Sequence, residues 1–497
     1  MTLGFLGKAT FLYAVGNICL RAASFLLIPI YAHYLAIEDY GLLMTLLLTI
    51  QFMLVAMNCG TEHSVVRFAK HYEKNSQLSS LMGTTFVISL IASIIVACIC
   101  LTLLLPFFQA ILHRQEVYWL IGYTLVSAFF QSMCDLLTSY YRSQCQPVKY
   151  MIVGVVTALI LTVFSFIFLC VLKMGINGAL LAKVIAYACV FGVISWQIYS
   201  KTGFKVSLKL APKLFHFGMP LALSGFGQFA ITGASIYFLS LLSGLESVAV
   251  FSLGHKLASV LMMVLVIPFQ LSFQPYVFSQ LDLPDIKRQM SRLLTYLMCS
   301  IAIGSYCVLF AARLLLPLIA PPEYAEAFIV TLLIVPAMAM ASLFYYGETL
   351  LKAAQKSYII GMIVIVCAVL SLIANFILIY YISWHGALLA TNVTFLVLGG
   401  SIFYIGIKEY SVPIEWRRLR IGGGLFLGVL LINLILLKST LYLYCVLNLM
   451  FAGAILLFLI RSTLWDQDER RSVRKALKKL KSFFQKAPPE HIESNIA

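Results

Sequence analysis

Two basic residues lie near the middle of long apolar stretches, and they are the candidate binding residues of this chain. They are Arg21 and Lys256. A charge at membrane depth costs about 2.5–3.5 kcal/mol on insertion scales, so such a residue usually faces a cavity or a partner. A guanidinium binds phosphate through two parallel N–H groups, and an ammonium is a mobile point charge. The pair therefore predicts an anion-binding site. We expect no catalytic residue and no cofactor, and the sequence has no metal-ligand spacing.

Polar residues extend these positions into stripes on one face of a helix. Residues four apart share a face, so Asn17 lies beside Arg21 on the first stretch, and Gln228 lies on a later stretch with the same spacing. The two stripes are Tyr13, Asn17, Arg21, Ser24 and Ser224, Gln228, Thr232, Ser235. We expect Asn17 and Gln228 to assist substrate binding in a cleft between two bundles. The alternative is that both stripes are polar contacts between helices.

Other ionisable residues inside apolar stretches have different expected roles. Asp135 and Glu348 are candidates for ion coupling, because a buried carboxylate can take up and release a proton as its surroundings change. Structural pairing with a neighbouring cation or hydroxyl is the alternative for both. Lys183 lies within about two turns of a membrane surface, so we expect it to extend to that surface. On a helix, His255 points about 100° away from its neighbour Lys256, which indicates a structural role for His255.

The elements that must position these residues are fourteen apolar stretches. With 62% hydrophobic residues and a mean hydropathy of +0.96, the chain reads as a membrane protein. Stretches of about 18 to 25 residues span the hydrocarbon core as helices, which satisfy their backbone groups in lipid. We therefore predict an all-α polytopic membrane protein with about 14 transmembrane helices. The approximate spans are 10–35, 40–62, 80–106, 116–140, 148–172, 178–200, 214–243, 246–279, 292–320, 324–350, 357–382, 385–407, 420–437 and 440–461.

Lysine and arginine predict the orientation of these spans. With both termini in the cytoplasm, 28 Lys and Arg residues fall on the cytoplasmic side and 3 on the other. Orientation follows this bias in short loops. The net charge of +16 then lies near anionic lipid headgroups. We therefore expect the chain to contact membrane lipids and not to bind nucleic acid. The first stretch is too long for a signal peptide.

Internal repetition predicts two bundles of six helices. The segment Gly178–Ala182 recurs as Gly386–Ala390, and Glu38 is echoed by Glu246, both at an offset of 208 residues. Because six is even, the two halves have the same orientation, with a substrate site expected between them. We predict bundles at 1–208 and 209–415, two additional helices at 416–461, and a basic amphipathic tail on the membrane surface at 462–497.

Two segments resemble the polysaccharide-exporter and oligosaccharide-flippase family of the multidrug/oligosaccharidyl-lipid/polysaccharide exporter superfamily. They are Tyr34–Leu42 (YLAIEDYGL) and Asn58–Ala69 (NCGTEHSVVRFA), and the likeness covers about residues 10–410. It implies two pseudosymmetric bundles around a central cavity that move lipid-linked glycans by alternating access.

The resemblance implies a flippase for polyprenyl-pyrophosphate-linked oligosaccharide in a bacterial plasma (inner) membrane, acting in cell-surface polysaccharide synthesis. Partners would be the lipid-linked glycan, membrane lipids, and a polysaccharide polymerase with its assembly proteins. Alternatives are a lipid II flippase, a multidrug or cation antiporter, and a scaffold that does not transport. A membrane enzyme is disfavoured, because no loop is long enough for an outer catalytic domain.

Overall fold

The structure of the chain, a computed structural model, describes residues 25–74, 77–112, 117–144, 146–280 and 286–461. All regular secondary structure in these ranges is helical. The helices are α1 (Phe25–Tyr34), α2 (Ile37–Asn58), α3 (Thr61–Lys74), α4 (Leu78–Leu112), α5 (Val117–Ser143), α6 (Pro147–Phe166), α7 (Gly175–Thr202), α8 (Ala211–Leu242), α9 (Leu245–Leu261), α10 (Ile267–Ser279), α11 (Ile286–Ile319), α12 (Ala327–Ala353), α13 (Ser357–Tyr410), α14 (Trp416–Ile435) and α15 (Leu441–Arg461).

The helices agree with the predicted membrane spans. Eleven described helical segments are long and apolar enough to cross a membrane, and two shorter apolar helices begin at Phe25 and Leu441. The longest element, α13, contains two helices that meet at Ile382 and Ser383, where the backbone leaves helical geometry. With α13 counted as two helices, the eleven long segments and the two shorter ones make fourteen, the predicted number of spans. The chain is therefore a multi-pass, all-α membrane protein, as its hydropathy predicted.

Both glycines of the repeated motif lie close to the helix that precedes them in the chain. Gly178 lies near the start of α7 and Gly386 follows the break in α13. A Cβ on Gly178 would lie 2.9 Å from the Cβ of Phe168, and one on Gly386 would lie 2.2 Å from the carbonyl oxygen of Leu378. Each glycine thus lets its helix approach the preceding one, as small residues do in membranes.

We call the described residues of 25–202 the first half and those of 211–291 and 304–410 the second half. Their seam is where α2 packs against α8 and α9. A Cβ on Gly41 would lie 1.9 Å from the carbonyl oxygen of Leu245, so only glycine fits there. Gly60 has a φ of +70°, and a Cβ on it would lie 2.0 Å from the carbonyl oxygen of Gly218. Thus α9 contacts the start of α2, and α8 contacts the turn that follows the end of α2.

The two ends of these helices differ in charge. The basic end is the one at which Lys201, Lys205, Lys209 and Lys213 connect α7 to α8. At the opposite end, α2 and α9 both begin with an acidic residue in their first turn, Glu38 and Glu246. An acidic first turn complements the positive end of a helix dipole.

A second compact unit comprises Arg292–Ile303 and, among the described residues, 414–461. Within it, the Tyr444 hydroxyl donates a hydrogen bond to the side-chain oxygen of Asn433, and both residues are buried. Gly422 lies close to the part of α11 that belongs to this unit, with its Cβ position 3.1 Å from the Cβ of Met298. A tyrosine–asparagine hydrogen bond thus joins α14 to α15.

Candidate functional site

Lys256 lies on α9 and its side chain reaches the seam between the halves. Its ammonium is 5.6 Å from the ring centre of Tyr40, a fully buried residue in the first turn of α2. Tyr40 in turn packs edge-on against Tyr324, with 5.6 Å between ring centres. Helical side chains point toward the N-terminus of their helix, so Lys256 extends toward the start of α9. The ammonium therefore faces one aromatic ring, that of Tyr40, at the end opposite the basic one.

No ion pair of Lys256 is found in the part of the chain that the structure describes. An aromatic face attracts an ammonium, by about 0.5–1 kcal/mol at exposed sites and more where water is excluded. That attraction leaves the positive charge of Lys256 in place. Its local surroundings are thus suited to an anionic ligand.

Gln228 lies on a cavity of about 240 Å³ inside the second half. Thr232 follows it by one turn of α8, and Ser235 bonds to Thr391 of α13, with 3.2 Å between the hydroxyl oxygens. His255 also faces this cavity, whereas Lys256 does not line it. The cavity offers amide, hydroxyl and imidazole groups and contains no carboxylate among its lining residues.

The structure separates two residues that the sequence grouped. Gln228 faces the cavity within the second half, and Lys256 faces Tyr40 of the first half. The expectation that His255 and Lys256 point in different directions agrees with this arrangement. The other predicted binding residues, Asn17 and Arg21, lie outside the described residues.

Asp135 lies on α5 in the first half, within a cluster of charges that we call the Asp135 cluster: Asp135, Glu62, Arg142 and Lys183. Asp135 and Arg142 are seven residues apart, which places both on one face of α5. The Arg142 guanidinium donates to the Glu62 carboxylate on α3 at 3.0 Å. The charges of Glu62, Arg142 and Lys183 all act on Asp135. Among the described residues, the Asp135 carboxylate has no direct hydrogen-bond or ion-pair partner of its own.

The prediction for Lys183 is wrong. The side chain is 8% exposed, and its ammonium lies 5.7 Å from the ring centre of Tyr187, one helical turn further along α7. It therefore does not extend to the membrane surface. Inside the protein the opposite charge of Asp135, on the adjacent helix α5, acts on Lys183 over a distance longer than that of an ion pair. The only sequence signal for this interaction at a distance is that both residues interrupt apolar stretches of the same half.

Glu348 lies near the end of α12 in a different environment. Its carboxylate pairs with Lys352, four residues later, at 2.8 Å. The amide of Gln270 also donates to it at 3.4 Å. This is the structural pairing that was the alternative to ion coupling, and it leaves Glu348 compensated at the basic end.

The described residues contain no group of three or more His, Cys, Asp or Glu side chains placed to hold a metal ion. The arrangement consists of a cation at the seam, a neutral polar cavity in the second half and a carboxylate without a direct partner in the first half. Such groups can bind an anion, bind hydroxyl-rich groups and exchange a proton, respectively.

Comparison with known families gives one match that covers more than half of the chain. The sequence profile of a family described as polysaccharide biosynthesis protein matches residues 6–281. No curated protein matches the chain.

Several solved structures share the fold. An inward-facing multidrug resistance MATE family transporter of the MOP superfamily has a TM-score of 0.63 and 15% identity, over 80% of this chain and 94% of its own. An outward-facing transporter of the same family has a TM-score of 0.57 and 15% identity, over 83% and 98%. A MOP superfamily transporter from Pyrococcus furiosus, described by the reverse polarity of its binding pocket, has a TM-score of 0.56 and 14% identity, over 82% and 95%. The fold is therefore one that membrane transporters use.

Proposed function

We propose that this chain, which belongs to the polysaccharide biosynthesis protein family, is a flippase for polyprenyl-pyrophosphate-linked oligosaccharide. It would move these units from the cytoplasmic to the outer leaflet of a bacterial inner membrane by alternating access, for the synthesis of cell-surface polysaccharides such as lipopolysaccharide. The family match and the transporter fold support the membrane-exporter part of the proposal. The Lys and Arg bias of the loops supports cytoplasmic termini and a cytoplasmic basic end.

The observation that carries the proposal is the cation at the seam. Lys256 lies in a membrane-spanning helix, contacts the first half through Tyr40, and forms no ion pair with a described carboxylate. A diphosphate is the kind of group that compensates such a charge. Because Lys256 contacts both halves, a bound phosphate there would respond to any rearrangement of the seam. This is what alternating access requires of a substrate site.

The remaining predicted residues take roles around this cation. Arg21 would share the pyrophosphate with Lys256, and Asn17 would donate to it. Gln228 and its neighbours in the cavity of the second half would bind sugar hydroxyls, while the prenyl tail stays in lipid. Asp135 would take up and release a proton during transport. Glu348, the other candidate for coupling, already has a cation partner and is the weaker choice.

A multidrug or cation antiporter is the second candidate. The observation in its favour is Asp135, since a carboxylate without a direct partner can bind a cation as well as a proton. Lipid II is a third candidate substrate, because it presents the same pyrophosphate chemistry with a different glycan. The three candidates differ in the charge of the transported molecule or in its sugar part, so one set of variants can separate them.

The test is export by Arg21→Gln, Lys256→Gln and the double variant in cells that lack their own flippase. Loss of one charged hydrogen bond should lower the export rate about ten- to a hundredfold, with normal expression and detergent stability. Arg21→Lys should keep part of the activity because it keeps the charge. Lys201→Gln, which removes an exposed cation at the end of α7, is the matched control and should export normally.

Near-normal export by the double Gln variant would eliminate the anion site. Efflux of a cationic dye that survives in the double variant but fails in Asp135→Asn would favour the antiporter. The lipid II alternative would be favoured if the protein complemented a strain deficient in lipid II flipping but did not restore surface polysaccharide in the flippase-deficient cells.

A further inference from the structure

A groove runs along the outside of the first half, between α6 and α7. It encloses about 340 Å³ and is separate from the seam and from the cavity of the second half. Most of the groove is lined by β-branched apolar side chains, among them Val153, Val156, Val190 and Val193. Longer side chains at these positions would close the space between the two helices. The sequence thus leaves an apolar channel at this surface of a membrane-spanning half.

The groove has a buried floor and an exposed rim. Val190 and Ile194 on α7 are 5% and 2% exposed and form the floor. Ile152 and Val156 on α6 are 49% and 40% exposed, and Val193 on α7 is 59% exposed. A half-open apolar channel on a membrane-spanning surface faces the hydrocarbon of the bilayer, so a lipid chain can enter it from the side.

One end of the groove is polar, and it is the basic end. The three polar lining residues are Tyr141 near the end of α5, Lys149 in the first turn of α6 and Gln197 near the end of α7. The Tyr141 hydroxyl donates to the side-chain oxygen of Gln197 at 3.1 Å, which fixes the amide in place. The Lys149 ammonium lies 5.7 Å from the ring centre of the same tyrosine.

These residues present donors for a negatively charged group. In the part of the chain that the structure describes, no carboxylate pairs with Lys149, and the Gln197 amide nitrogen has no hydrogen-bond acceptor. The neighbouring Trp196 is 78% exposed. Exposed tryptophan is typical of the headgroup level of a bilayer, so it places Lys149 and Gln197 at the depth of lipid phosphates.

The length of the groove matches one leaflet. On α6 its lining extends from Lys149 to Ile160. With a rise of about 1.5 Å per residue, this is about 16 Å. The hydrocarbon core is about 30 Å thick, so the groove ends near the midplane. An acyl chain of one leaflet fits this length, with its phosphate at Lys149.

We propose that the groove between α6 and α7 is a binding site for an anionic glycerophospholipid of the leaflet at the basic end. Its acyl chain would lie along Val153, Val156 and Val190, and its phosphate would contact Lys149 and the Gln197 amide. The site does not depend on the proposed flippase function, because it lies on the lipid-facing surface of the first half. The inner leaflet is rich in anionic lipid, which suits a groove whose polar end carries a lysine.

The test is native mass spectrometry of the full chain titrated with phosphatidylglycerol or phosphatidylcholine. We expect phosphatidylglycerol to bind the wild type more tightly, and Lys149→Gln to lower that preference about fivefold, the effect of one charge near a membrane surface. Val193→Phe fills the exposed rim and should abolish retention of the tightest-bound lipid. Lys408→Gln removes another exposed lysine, at the end of α13, and should behave as wild type.

A second measurement locates the lipid. Cys189 lines the groove and is exposed, and Cys98, on α4, is exposed but does not line it. Phosphatidylglycerol should slow the alkylation of Cys189 and leave that of Cys98 unchanged. Equal retention by wild type and Val193→Phe, or unprotected Cys189, would overturn the proposal. Displacement of phosphatidylglycerol from the groove by equimolar undecaprenyl phosphate would also overturn it, since the occupant would then be an isoprenoid carrier.

Discussion

The carboxylates of the two halves of this protein have different surroundings. In the first half, Asp135 lies among the charges of Glu62, Arg142 and Lys183 without a direct partner among the described residues. In the second half, the carboxylates Glu348 and Glu409 at the basic end each pair with a lysine.

The difference suggests a division of labour between the halves. A carboxylate near two cations and another acid can gain or lose a proton when one of these charges moves. A carboxylate in a direct ion pair resists such a change. The second half instead contains the neutral polar cavity. We therefore expect energy coupling to depend on the first half and glycan recognition on the second.

The strongest test of this division exchanges the two carboxylates for amides. Asp135→Asn should lower transport at least about tenfold, which is about 1.4 kcal/mol on the rate-limiting step, and should remove its dependence on the pH gradient. Glu348→Gln should keep that dependence, because its carboxylate is already compensated. Transport into vesicles with and without an imposed gradient measures both.

Equal gradient dependence in wild type and Asp135→Asn would show that the proton carrier lies elsewhere. Loss of dependence in Glu348→Gln alone would reverse the assignment of roles between the halves. Folding of each variant is checked by its elution profile in detergent.

A second test concerns the stability of the Asp135 cluster. Lys183→Met removes a buried cation that interacts with Asp135, so the carboxylate loses a compensating charge. The double variant Asp135→Asn/Lys183→Met removes both charges and should be more stable than the sum of the single changes predicts, by about 0.5–3 kcal/mol. Thermal unfolding of the four proteins measures this coupling. Additive effects would show that the two charges are independent.

A third test addresses the cavity of the second half. Gln228→Leu removes an amide that faces it and should weaken glycan binding about fivefold, the effect of one neutral hydrogen bond of about 1 kcal/mol. Ser224→Ala lies on the same stripe of α8 but outside the cavity lining, and it should bind like wild type. Binding of a soluble glycan by the purified protein measures the difference. Equal affinities of Gln228→Leu and wild type would argue against sugar contact at this position.

The fold was largely predictable from the sequence, because lipid permits few solutions. Each span must satisfy its own backbone, so hydropathy alone located the helices, including the two inside α13. The repeated glycines also marked real contacts, at Gly178 and Gly386. Hydropathy could not show the break at Ser383, where a residue with positive φ joins two helices.

The site was less predictable, because helix periodicity gives the face of one helix and not its neighbour. The sequence identified Lys256 but could not show that it reaches Tyr40 across the seam. It assigned Lys183 to the membrane surface because the carboxylate whose charge acts on it, Asp135, lies on another helix. It grouped Gln228 with Lys256, although His255 is the α9 residue that shares the cavity with Gln228.

The smallest effect is expected at the pair of Lys356 with Glu409 in the second half. The hydrogen bond from the Lys356 ammonium to the Glu409 carboxylate raises the pKa of Lys356 above its ordinary value of 10.5. A raised lysine pKa means that the pair stabilises the fold below pH 10.5, and that this stabilisation disappears as the pH rises through the higher value of the folded state. Exposed ion pairs contribute little, so Lys356→Gln should lower the melting temperature slightly at neutral pH and leave transport unchanged. The difference from wild type should vanish in strongly alkaline buffer, while Lys408→Gln, at the end of the same helix as Glu409, should show no such pH dependence. A transport defect in Lys356→Gln would mean that the paired carboxylates of the second half take part in coupling, and the contrast between the halves would fail.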